Sequence, residues 1–168
     1  KSAEIIRLFK KEGADVRVVM TESAKEFITP LTLQAISGNE IHDSLVDVDA
    51  ELAMGHIELA KWADIILIAP CTAETIAKIT HGRADDLMGA LILASKADMY
   101  IAPAMNMNMW LDVSTQDNYK TLLSRGISFI GPAQGEQACG DVGPGRLEEP
   151  DKILEFIKTS SKRDPLSG

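Results

Sequence analysis

Five stretches of the chain carry side chains that packing alone does not call for. His56, in AMGHIELAKWAD, stands just ahead of an apolar run. Imidazole titrates near neutrality and is the natural general base, although a lone histidine more often lies on the surface or satisfied in a core. PAMNMNMW, Pro103 to Trp110, sets Asn106 and Asn108 among Met105, Met107 and Met109 directly after a strand-like stretch. Alternating methionines are adaptable packing residues, so the amides are the unusual feature. QGEQACGDVGPGR packs four glycines, a proline and Cys139 into thirteen residues. That composition reads as a loop, where a thiol reachable by a ligand can serve as acid or nucleophile and a buried one is inert. Finally, TESAKEFITP and APCTAETIAKI put Thr21 and Ser23, then Thr72 and Thr75, at helix starts. Hydroxyls there either cap the helix or join its amides around an anion or a polar ring edge. His42 and His81 have no comparable context and are expected on the surface.

The elements that must position these residues follow from the apolar period, which alternates between strand and helix. Ile5, Ile6, Leu8 and Phe9 share one helix face that Gly13 ends, and VRVVM, Val16 to Met20, follows as a strand. DIILIAP, Asp64 to Pro70, is apolar throughout, as a central strand covered on both faces should be. ADMYIAP and ISFIGP are two further strands, each closed by a proline. Helices are expected over 73–80, 84–94, 114–124 and 151–158. Strands alternating with helices specify an α/β fold, a doubly wound parallel sheet with helices on both faces. Such a fold opens with a strand and a phosphate-binding loop, and the given chain starts inside the helix that follows them. Ligands of such sheets bind beyond the carboxyl ends of the strands, where the residues that follow Met20, Pro70 and Pro103 fall.

The 168 residues with 45% hydrophobic content suit one compact domain, expected over residues 1–158. The tail TSSKRDPLSG, with 159–168 beyond the last helix, reads as a linker toward another domain. A net charge of −8 without a Lys/Arg cluster argues against nucleic acid and anionic membranes as partners. No stretch reaches the length of a spanning helix, and the N-terminus lacks a signal peptide's apolar centre, so a cytoplasmic location is expected. Cys71 and Cys139, far apart in different motifs, have neither a metal-site nor a disulfide-scaffold spacing.

Taken together, GHIEL, PAMNMNMW and ACGDVGPGR resemble one family, the flavin-dependent cysteine decarboxylases, and within it the phosphopantothenoylcysteine decarboxylase branch. The likeness runs along essentially the whole chain. In bacteria that enzyme is usually the N-terminal half of a bifunctional protein ending in a phosphopantothenate–cysteine ligase, which suits the linker-like tail. The resemblance implies FMN at the carboxyl ends of the strands and 4'-phosphopantothenoylcysteine as substrate, converted to 4'-phosphopantetheine in coenzyme A biosynthesis. It implies His56 as the base in thiol oxidation, Asn106 as the amide holding the substrate carboxylate, and Cys139 as the acid that protonates the enethiolate. An amide grips an anion without the charge pairing that would stabilise the ground-state carboxylate and oppose its loss. Asn108 is read as a helix-start residue. Met105, Gln137 and Ala138 are implied around the substrate. Thr21, Ser23, Phe27, Thr72, Ala73, Glu74, Thr75 and Ala104 are implied around the flavin, with Glu74 departing from the asparagine found there in some members. No metal is implied. Members assemble from trimers, some into dodecamers. The alternatives are a peptidyl-cysteine decarboxylase, a non-catalytic flavin-binding regulatory module and a flavodoxin-like electron carrier.

Overall fold

A computed structural model describes residues 1–26, 28–43, 55–136, 140 and 142–160. Phe27, Gln137, Ala138 and Cys139 therefore lie outside the described residues, as does the linker expected over 159–168 beyond residue 160. Strand β1 (Val18–Val19) pairs in parallel with β2 (Ile41–His42). A second parallel sheet runs in the order β3 (Ile65–Cys71), β4 (Asp98–Pro103), β5 (Ser128–Phe129). An antiparallel hairpin, β6 (Ala133–Glu136) and β7 (Val142–Arg146), follows. The helices are α1 (Ser2–Lys11), α2 (Pro30–Ser37), α3 (His56–Trp62), α4 (Ala73–Thr80), α5 (Leu87–Ala94), α6 (Met107–Leu111), α7 (Val113–Ser124) and α8 (Pro150–Ser160).

Strand alternation sorts the core into two faces. Tyr100 and Ala102 of β4 point into a cluster with Ile5 and Phe9 of α1 and Ile153, Leu154 and Ile157 of α8. Ile101, between them, points the other way, into Ile76 and Ile79 of α4, Trp110 of α6 and Leu122 of α7. The two parallel sheets share their covering helices. α1 lays Phe9 and Ile5 on Ile65 and Leu67 and lays Ile6 on Val18 and Met20. On the opposite face Leu59, Ala60 and Leu91 cover both Val19 and Ile66. This is the doubly wound α/β arrangement expected from the pattern. No helix among the described residues is long and apolar enough to cross a membrane.

Four expectations are corrected. The apolar run at 64–70 is not a fully covered central strand: among the described residues β3 pairs with β4 alone, and residues 65–69 stay half-buried while residues 100–103 of β4, which is paired on both sides, are buried. The glycine-rich stretch is not a loop throughout; its two ends pair as β6 and β7, with Gly135 opposite Gly143. With Val142 its one β-branched residue, the stretch carried little strand signal. His42 is not a surface residue. It is 8% exposed at the end of β2, on the sheet face opposite Ile41. His81 does lie on the surface. Helix α5 also starts at Leu87 rather than 84, because Asp86 accepts the Gly89 N–H at 2.8 Å and so fixes the N-cap.

Candidate functional site

Pro103 ends β4 and the chain turns at once into the five-residue helix α6. Asn106 is the residue that makes this turn. Its Oδ1 accepts the Asn108 N–H at 2.8 Å, so Asn106, not Asn108, caps α6, and Asn108 stands exposed inside the helix. The cap has a chemical consequence. Of the two ends of this amide, Oδ1 accepts the backbone N–H and Nδ2 can act only as a donor.

Two backbone bonds set this turn in the fold. The Ala104 N–H donates to the Cys71 carbonyl at 3.0 Å, tying the end of β4 to the end of β3. The Met105 N–H donates to the Gly145 carbonyl at 2.9 Å, tying it to β7 of the hairpin. Thr72 follows Cys71 directly and caps α4, its Oγ1 accepting the Thr75 N–H at 3.2 Å and donating to Thr75 Oγ1 at 3.1 Å. Thr72, Ala73, Thr75, Ala104, Met105 and Asn106 are thus gathered at the carboxyl ends of β3 and β4, with the hairpin beside them. Glu74 belongs to the same helical turn, but 79% of its side chain is exposed and its nearest cation, Arg83 Nη1, is 3.9 Å away. Its carboxylate faces solvent.

The other residues stand on separate elements. Thr21 follows β1, and its Oγ1 accepts the Ala24 N–H at 3.2 Å at the head of a 3-10 turn, Ser23–Glu26, where Ser23 is exposed. The structural use of both threonines is capping, the plainer of the two readings of such hydroxyls. His56 is the first residue of α3, which runs back against β3 through the short link 63–64, so its partly exposed ring lies at the helix end directed toward the carboxyl side of the sheet. Cys71, although at the heart of this region, is fully buried, and burial pushes its thiol up to about 12. It stays protonated and unreactive near neutrality.

One functional feature escaped the sequence reading: the direct bond from the Asn106 turn to β7. The signal lay in the glycines themselves, since backbone can approach backbone only where no side chain intervenes.

The chain matches the family model described as Flavoprotein over residues 1–162. It is 53% identical over 166 residues to the coenzyme A biosynthesis bifunctional protein CoaBC of Vibrio vulnificus (strain YJ016), covering 99% of this chain and 41% of that protein. It is 52% identical over 156 residues to the same protein of Escherichia coli (strain K12), covering 93% of this chain and 38% of that protein. The chain therefore spans about two fifths of the length of these curated relatives. Among solved structures, a cysteine-to-serine mutant of PPC decarboxylase complexed with pantothenoylaminoethenethiol is similar, with a TM-score of 0.77, 31% identity, and 94% and 91% of the two chains covered. The FMN-binding protein AtHal3 is similar at a TM-score of 0.75 and 32% identity, with 92% and 85% covered.

Proposed function

The chain belongs to the flavoprotein family, and from that premise we propose that it catalyses the FMN-dependent decarboxylation of 4'-phosphopantothenoylcysteine to 4'-phosphopantetheine. The observation that carries this reading is the Asn106 amide, its Oδ1 capping α6, in the turn where β3, β4 and the hairpin meet. The residues also fit a flavin. The first turn of α4 offers amides that the helix itself leaves unbonded, beside the Thr72 hydroxyl and the small side chain of Ala73, while Glu74, turned to solvent, offers its backbone alone. When bound, the flavin supplies a two-electron oxidation of the substrate thiol and returns the electron pair to the decarboxylated product.

The chain's own residues then have distinct tasks. His56 takes the proton from the substrate thiol as its carbon is oxidised to a thioaldehyde. The carboxylate now lies β to a thiocarbonyl, so carbon dioxide leaves while the electron pair of the broken bond passes to sulfur as an enethiolate. Asn106 Nδ2 holds the carboxylate through this step by one neutral hydrogen bond, which is given up without separating an ion pair. Cys139 delivers a proton to the enethiolate carbon before reduction completes the product. Thr21, Ser23, Phe27 and Ala104 contribute to the flavin site, and Met105, Gln137 and Ala138 to the substrate site, in this reading. Met109, Leu111 and Val113, exposed at 50%, 54% and 69% around the corner from α6 to α7, suit assembly of several copies beside the site. A ligase unit in the full-length protein completes the reading, in line with the bifunctional relatives.

A peptide ending in cysteine is the rival substrate, because the chain is also similar to the FMN-dependent cysteine decarboxylase SpaF at 26% identity. The test is carbon dioxide release by the full-length protein supplied with FMN and given each substrate in turn. Turnover of the pantothenoyl substrate alone is expected; preference for the peptide would overturn the assignment.

A further inference from the structure

Most of the hairpin's glycines are demanded by their backbone. Gly135 and Gly145 have φ of 152° and 142°, a region side chains rarely adopt. Gly143 is different: its φ lies outside that region. A Cβ on Gly143 would overlap Met107 Sδ and stand 3.1 Å from Met107 Cγ, so a side chain there requires Met107 to shift. Met107 is the first residue of α6 and follows Asn106 directly. On the other side of Asn106, the Met105 N–H donates to the Gly145 carbonyl at 2.9 Å. Both neighbours of Asn106 are therefore seated on β7, one by a backbone bond and one by the close contact of its side chain with Gly143.

We propose that Gly143 is a positioning residue for the decarboxylation: its missing side chain lets β7 lie on Met107 and sets the turn that holds the Asn106 amide. This rests on the functional reading above, in which Asn106 holds the carboxylate. A displacement of β7 moves both neighbours of Asn106 at once, so an enzyme misaligned at Gly143 decarboxylates slowly.

The test uses the full-length protein with FMN supplied, comparing Gly143→Ala, Met107→Ala and the double variant. Gly143→Ala is expected to lower kcat/KM by about tenfold or more, as an inserted methyl in a packed contact does. Shortening Met107 makes room for the added methyl, so the double variant is expected to return to within about threefold of Met107→Ala alone. Hydrogen exchange at the Met105 amide gives a reading independent of turnover, and Gly143→Ala is expected to speed it by about tenfold. Wild-type kinetics and unchanged Met105 exchange in Gly143→Ala would overturn the proposal, as would a loss that Met107→Ala does not relieve. If Gly143→Ala does not fold, Met107→Phe presses on the same contact from α6; rapid Met105 exchange supports the proposal and unchanged exchange overturns it. If the wild type makes no product while Met105 exchange still responds, the coupling stands and the assigned reaction falls.

Discussion

Asn106 does two jobs with the two ends of one amide, and a single substitution separates them. Aspartate caps helices as well as asparagine does, so Asn106→Asp should keep the bond to the Asn108 N–H and leave the melting temperature unchanged. It replaces the Nδ2 donor with a second negative charge facing the substrate carboxylate, and decarboxylation is predicted to fall by about a hundredfold or more. Steady-state kinetics and a thermal melt on one preparation check both halves. The sequence marked both asparagines but assigned the helix start to Asn108; a residue's type shows that an amide is available, whereas its backbone angles decide which amide closes the turn. The two cysteines separate in the same way. Cys71, held near 12 by burial, should resist iodoacetamide at neutral pH in a folded Cys139→Ser protein and react on unfolding. Rapid native-state labelling of Cys71 would show that it is not the inert thiol its burial implies.

At the scale of elements, capping and burial decide stability. Thr72 holds the first turn of α4, whose Ile76 and Ile79 are core residues; Thr72→Ala should cost about 1 kcal/mol in denaturant unfolding. His42 gives β2 a pH dependence. Burial, reinforced by Arg17 and opposed by Glu40 and Asp43, holds its imidazole below the ordinary 6.5, and among the described residues its Nε2 has no hydrogen-bond partner. The unfolded chain therefore takes up this proton first. Stability from this group is complete above about pH 6.5 and is lost as pH falls from there toward the lowered folded value. His42→Leu should flatten the stability profile over that window while leaving neutral-pH stability similar, as chemical denaturation at several pH values would show. The helices over 73–80, 113–124 and 150–160 were legible because long periodic segments bury a face. Strands β1 and β5 were legible in VRVVM and ISFIGP, whereas the two-residue β2 and the hairpin were hard to read because their pairing, not their propensity, makes them strands.

For the molecule as a whole, the alternating pattern specified a parallel α/β layer structure, and the strand ends specified where a ligand would lie. Spatial relations between distant segments were not legible: nothing local in the sequence says that Gly145 meets Met105 or that one set of helices covers two separate parallel sheets. The exposed apolar corner formed by Met109, Leu111 and Val113 belongs to this scale too. Introducing Leu111→Glu with Val113→Glu should convert an assembly of copies to smaller species in sedimentation, since charge placed in an apolar contact must be desolvated. Unchanged sedimentation would remove that corner from any interface. The central claim, that this site removes carbon dioxide from a cysteine carboxylate and then protonates the product, is tested most directly by mass. The full-length protein, supplied with FMN, is incubated with 4'-phosphopantothenoylcysteine beside its Cys139→Ser variant. The account predicts loss of one carbon dioxide to 4'-phosphopantetheine in the wild type and accumulation of the oxidised enethiol in the variant; bound flavin with the substrate mass unchanged would contradict it.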